Sequence, residues 1–238
     1  RNVGYLPEAL LNYLGHMAWT MPDEQDIFTL ADMVAAFKLD RMSLGGPVFD
    51  VPKLSALNGR WLRERMDAAE FGRRVQDWKF NATTMAKVIP LVQPRVQRMT
   101  DLPALVDYLF VHLVDVDPAA LAQGREPAEV RRDLYFAVQR LSALPDWEKD
   151  GIEAILRVLA EQTDQKLRAY LKPFYLAIAG RSNALPLFDS LELLGRDIAR
   201  DRLNHAITAL GGLGKKATER LDRELAKLET VNGAPTPG

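Results

Sequence analysis

Side chains able to do chemistry are sparse in this chain. Its three histidines, His16, His112 and His205, stand apart, and none has a second histidine one helical turn away. A helix that offers paired metal ligands needs that spacing, so no metal site is expected. Gly45 and Gly46 are followed by Pro47. A phosphate cradle works through backbone N–H donors, and proline removes one, so this stretch reads as a turn. No G-x-S-x-G elbow is present, which leaves a serine hydrolase without support. Glu148, Glu153 and Glu161 are scattered as on a solvated helix face, and nothing singles out a catalytic pair. No catalytic residue is assigned. The chain reads as a binding module more than a complete enzyme.

Composition narrows the partners. Of 238 residues, 47% are apolar and 26% charged, as in ordinary globular proteins. The formal net charge of -1 argues against a protein that lives on non-specific phosphate attraction, while leaving room for a few placed arginines. The absence of cysteine removes disulfides and thiolate zinc sites and fits a reducing compartment. No apolar run approaches the roughly 20 residues of a membrane helix, and no secretory leader is visible. A soluble, cytoplasmic protein is the expectation. The chain opens on Arg1 and Asn2 and reaches a helix start by Pro7, which reads as a piece of a longer protein.

The elements that must position any site are helical. Pro7 suits a first helical turn, and Leu10, Leu11, Leu14 and Met17 then share a face. Thr29 and Asp32 make a capping pair ahead of Met33, Val34 and Phe37. Ser43 to Asp50 reads as a loop, and Asp50 caps a helix bearing Leu54, Leu57, Trp61 and Leu62. Asp67 and Glu70 start the next helix, with Phe71, Val75 and Trp78 as its buried stripe. Further helices are expected from about Thr83 to Val92, after Asp101, after Asp117, and from Pro127 until Pro145 approaches. Two more run over Lys149 to Glu161 and Lys166 to Ala179, the second closed by a left-handed Gly180. Leu187 to Leu194, Arg196 to Leu210 and Lys215 to Glu229 complete the set. Residues 231–238 are Gly- and Pro-rich and read as disordered. No period-two alternation is long enough for a sheet. The fold class is all-α, with soft seams near Glu64 to Asp67 and near Leu102 to Tyr108.

Several strings, taken together, resemble one family. Gly4–Tyr5–Leu6–Pro7–Glu8–Ala9–Leu10–Leu11–Asn12–Tyr13–Leu14 is similar to the segment after the lysine-serine nucleotide loop of bacterial glutamyl-tRNA synthetases, which are class I aminoacyl-tRNA synthetases. Trp19, Phe28 to Phe37, Ser43 to Asp50, Leu57–Asn58–Gly59 and Arg63–Glu64 follow in family order. Gln93–Pro94–Arg95 and Leu187–Phe188–Asp189–Ser190–Leu191–Glu192–Leu193–Leu194–Gly195 match its anticodon-binding region. Residues 108–170 resemble it mainly through helical pattern and Trp147–Glu148. The resemblance implies a stem-contact helical domain over 1–66, then two helical anticodon-binding subdomains of the α-helix cage type over 67–107 and 108–238. It implies tRNA(Glu) as partner. ATP, Mg2+ and glutamate would be handled by an N-terminal half whose two signature sequences are not in this chain, so no cofactor is assigned here. The full enzyme, a glutamate–tRNA ligase, joins glutamate to its tRNA through a glutamyl-adenylate. This part alone is expected to be inactive, monomeric and free of membrane contact.

The same resemblance singles out Arg95, where discriminating family members carry an arginine that reads the third anticodon base. A guanidinium offers only donors, in a rigid fork. The pairing edge of cytosine offers two adjacent acceptors, whereas guanine turns donors outward. Glutamate anticodons end in C and glutamine anticodons in G. Leu187 and Phe188 are candidates to pack against unstacked bases, with membership of a Leu187, Leu191, Leu194 core stripe as the competing reading. Where the family often has Pro-Leu-Arg before the closing glycine, this chain has Pro173–Phe174–Tyr175, and Ala184 stands where some members carry a hydroxyl. Tyr175 would then stack on a base and Arg181 would restore the charge. The Lys215 helix either touches a tRNA backbone or is a solvated face with pairs such as Glu219–Arg223. The alternative function is a helical protein–protein module that binds no tRNA.

Overall fold

The computed structural model describes residues 3–231 apart from 44 and 47. Its elements, in order, are α1 (Pro7–Ala18), α2 (Leu30–Ala36), α3 (Val51–Glu64), α4 (Ala68–Trp78), α5 (Ala82–Val92), α6 (Leu102–Val106), α7 (Pro118–Ala122), α8 (Pro127–Ser142), α9 (Lys149–Gln162), α10 (Leu167–Ala179), α11 (Leu187–Leu194), α12 (Arg196–Ala209) and α13 (Lys215–Val231). Short 3-10 turns fall at Leu39–Arg41, Gln93–Arg95, Met99–Asp101 and Asp107–Phe110. No strand occurs among the described residues, so the all-α expectation holds. The chain divides into two compact units, Arg1–Ala82 and Thr83–Gly238. That division falls inside the segment 67–107 of the sequence reading.

The helix starts follow from local chemistry. Thr29 and Asp32 form a reciprocal capping box at α2, with Asp32 N–H donating to Thr29 Oγ1 at 3.1 Å and Thr29 N–H to Asp32 Oδ2 at 2.9 Å. Asp50 accepts from Lys53 N–H at 3.1 Å and Asp67 from Glu70 N–H at 2.8 Å, each satisfying a donor the first turn leaves free. Of the described residues in the expected Ser43–Asp50 loop, none is helical; Leu44 and Pro47 lie outside the described residues. Residues 232–238 of the expected tail lie outside them too, while Val231 closes α13.

In the first unit α1 packs on α3 around Ala9, Tyr13, Ile27, Leu54, Leu57 and Trp61. The buried Asn12 organises this core: its Oδ1 accepts from Trp61 Nε1 at 2.9 Å and its Nδ2 donates to Asp26 O at 3.1 Å. Two apolar helix faces of this unit stand outside its core, and the second was expected to be buried. Leu10, Leu11 and Leu14 do share a face, but it is the exposed one; Leu11 and Leu14 line an apolar hollow of about 280 Å³ with Phe28, Phe37 and Met42. The core side of α1 is carried instead by Ala9, Asn12 and Tyr13. Nor is the α4 stripe buried: Phe71 is 45% exposed and Val75 and Trp78 are half-buried. α4 is held through charge, with Arg74 bonding both Glu70 at 2.7 Å and Glu8 of α1 at 2.8 Å.

The second unit is built on α8 and α12, which make its most extensive helix pairing, with α9, α10 and α11 closing the core. Leu134, Phe136, Ile152, Phe174, Leu191 and Leu203 are its interior. The buried Asp133 accepts from Arg125 at 2.7 Å, Arg132 at 3.1 Å and Gln165 at 2.8 Å, so its charge is matched and its lone pairs are used. The α13 helix is not merely solvated. It buries Leu221 and Leu225, and Tyr135 O–H of α8 donates to Asp222 at 2.6 Å. The expected Glu219–Arg223 side-chain pair is absent; Arg223 Nε donates to the Glu219 backbone carbonyl at 3.1 Å instead.

The Tyr135 contact predicts a pH effect. Burial first, then the bond to Asp222, pushes the phenol up to about 12. A folded value above the unfolded one means the bond stabilises fully below about pH 10 and is lost as pH rises through 12. An absorbance titration should therefore show late phenolate steps, one of which is missing in Tyr135→Phe. A Tyr135 step at ordinary phenol pH contradicts this.

Candidate nucleic-acid interface

The segment between α10 and α11 is shaped by a glycine that no other residue replaces easily. Gly180 ends α10 at φ +69 and its N–H bonds to Leu176 O at 2.9 Å. A Cβ there would also lie 3.1 Å from Asp115 O. Beyond it, Ser182 and Asn183 face solvent, Ala184 is half-buried and Leu185 is fully buried, so residues 181–184 form a bulge pinned at its far end. Ser190 Oγ of α11, bonded to Tyr108 Oη at 2.6 Å and donating to Pro186 O at 2.9 Å, fixes that end.

Arg95 approaches this bulge from the 3-10 turn Gln93–Arg95 that follows α5. Its side chain is exposed, and Nη1 donates to Ala184 O at 3.3 Å. That is its only hydrogen-bond partner among the described residues, leaving most of the guanidinium donors open. Lys87 of α5 also pairs with Glu192 of α11, so two contacts hold the α5 segment against the α11 region.

Behind the bulge sits Arg202 of α12, fully buried. It bonds four backbone carbonyls: His112 O through Nε at 2.9 Å, Tyr108 O through Nη2 at 2.6 Å, and Val111 O and Ile178 O. One guanidinium thus ties the 108–112 segment to the end of α10. Burial pushes it down to about 10, which still leaves it charged at neutral pH. Sequence reasoning missed this residue. A signal existed: Arg202 falls on the apolar stripe Ile198, Ala199, Leu203, Ala206, where a charge must find buried partners.

The other expected site residues separate into groups. Phe188 is half-buried in the first turn of α11, beside the bulge. Leu187 is only 2% exposed and lies on the buried α11 stripe with Leu191 and Leu194, the competing core reading given for it. Arg181 is not a free cation either. It pairs with Asp107, lies 5.5 Å from the Tyr108 ring centre, and holds the Asp107 carboxyl below its usual range. Its charge is matched within the fold by Asp107. Tyr175, half-buried, turns to a hollow shared with Ser182. His16 and His112 bond Asp26 O at 2.6 Å and Asp201 at 2.8 Å. No cluster of three metal-ligating side chains occurs among the described residues. No described helix is long and apolar enough to cross a membrane.

Comparison with known proteins assigns this all-helical chain to a family. A family model described as an anticodon binding domain matches residues 70–207, more than half of the chain, and the chain belongs to that family. The glutamate–tRNA ligase of Cellvibrio japonicus is 42% identical over 236 residues, covering 99% of this chain and 47% of that protein. The glutamate–tRNA ligase of Marinobacter nauticus is 39% identical over 227 residues, covering 95% of this chain and 46% of that protein. The chain therefore spans about half the length of the curated relatives it matches. A solved glutamate tRNA ligase from Elizabethkingia meningosepticum aligns over 87% of this chain and 42% of its own at 24% identity, with a TM-score of 0.48.

Proposed function

We propose that this chain is the tRNA-reading C-terminal part of a glutamate–tRNA ligase, the cytoplasmic enzyme that attaches glutamate to tRNA(Glu) in protein synthesis. One observation carries the reading. Arg95 and the bulge before α11, 89 residues apart in sequence, meet at the surface with guanidinium donors open. Unstacked RNA bases are read by such groups through their pairing edges. In this reading Arg95 faces the third anticodon base, and Phe188 and Ala184 form the adjoining surface. The first unit carries the stem-contact role expected for residues 1–66, and the protein acts as a monomer.

ATP and Mg2+ belong to the other half of the proposed enzyme. No chemical step is assigned to this chain.

Binding to an anticodon stem-loop RNA tests the proposal. Affinity should fall steeply with added salt, by a slope of about 0.7 per single-stranded phosphate contacted. Absence of binding at every salt concentration would favour a helical protein–protein module instead.

A further inference from the structure

Two carboxylates of α11, Asp189 and Glu192, stand three residues apart, and each takes a lysine from a different helix. Asp189 holds Lys149 of α9 at 2.9 Å. Trp147 Nε1, just ahead of α9, donates to Leu191 O at 2.8 Å. These bonds and the buried Leu187, Leu191 and Leu194 fix α11 to the core of the unit. Glu192 pairs instead with Lys87 of α5. Arg95 follows Lys87 by eight residues, so a tether at Lys87 also governs where the guanidinium lies.

Besides the 3.3 Å bond from Arg95 to Ala184 O, the segment between Lys87 and Arg95 has little to hold its aim. Pro90 lies inside α5 and has no N–H for Ala86 O, so the helix lacks a backbone bond there. A proline inside a helix is a common place for it to bend. Pro94 removes a further donor from the 3-10 turn. From Lys87 to Arg95 the buried residues are Val88 and Val92. Apolar contact is non-directional, so two valines hold α5 down without fixing its roll. The ion pair adds a fixed point. The Glu192 side chain is only 21% exposed, which shields the pair from full screening by salt.

We propose that Lys87 and Glu192 are positioning residues for base selection: their ion pair clasps α5 to α11 and so keeps the Arg95 guanidinium over the bulge at Ala184. Neither residue touches a base. A bidentate contact needs two donors aligned with two acceptors on the base edge. Displacing the arm therefore costs the C form, which uses both bonds, more than the G form, which meets donors. The proposal rests on the reading of Arg95 given above.

The test compares the chain and its variants in binding two anticodon stem-loops that differ only in the third anticodon base, C or G. The two RNAs carry the same phosphates, so a cation that merely attracts RNA acts on both alike and drops out of the affinity ratio. Lys87→Gln and Glu192→Gln should each cut the wild-type preference for C by about threefold, the small factor expected of a partly exposed ion pair. Their melting temperatures should stay close to wild type. The charge-swapped double variant, Lys87→Glu with Glu192→Lys, should recover most of the preference, which a loss of fold at either position would not allow. Wild-type preference in both single variants, or no recovery in the swapped pair, would overturn the clasp while leaving the Arg95 reading in place. If the wild type itself shows no preference, the Arg95 reading falls and the clasp with it.

Discussion

Replacing Arg202 by leucine should lower the stability of the second unit by about 3–5 kcal/mol. For a domain of this size that is a fall in melting temperature on the order of 10 °C. Removing a buried charge often costs little when all its partners are replaced by apolar groups. Here the partners are the backbone carbonyls of Tyr108, Val111, His112 and Ile178, which no side-chain change can remove. Leucine would leave them buried without donors. Arg202→Lys should recover less than half of the loss, since an ammonium cannot span the fork. The damage should also reach function. Ile178 lies two residues before Gly180, and Tyr108 holds both Arg181 and Ser190, so the bulge under Arg95 would lose its backing. Calorimetry of the variant decides the matter. An unchanged melting temperature would mean that the clamp is not a stabilising element.

The second large effect is on selectivity. With the chain joined to the catalytic half of a glutamate–tRNA ligase, Arg95→Gln should reduce rejection of glutamine tRNA tenfold or more. A bidentate contact discriminates between bases by about 1–3 kcal/mol, and 1.4 kcal/mol is a factor of ten. Arginine has donors only, so it suits the adjacent ring-nitrogen and O2 acceptors of cytosine's pairing edge and meets donors where guanine presents its ring N–H and amino group. Glutamine carries both a donor and an acceptor and can turn to meet either base. Stability should change little, because Arg95 is exposed and gives up one bond of 3.3 Å. Equal charging ratios for the two proteins would remove Arg95 from decoding.

Much of this fold was legible because its punctuation is local. The caps at Thr29, Asp50 and Asp67 and the left-handed Gly180 act within one turn, and each holds in the structure. Long-range facts were harder to read. Leu187 has the same spacing whether it packs inward or meets a base, and only burial separates the two. The Phe71, Val75, Trp78 stripe has the right period, yet a period does not guarantee a partner to cover it. Arg181 looks free in sequence because Asp107, its partner, lies 74 residues away.

The decoding role proposed for this chain turns on whether a single RNA base meets Arg95. The most direct measurement is the affinity of the wild-type chain for two anticodon stem-loops that differ only in the third anticodon base, C in one and G in the other. The account predicts that the C form binds about tenfold more tightly. Equal affinities would contradict it.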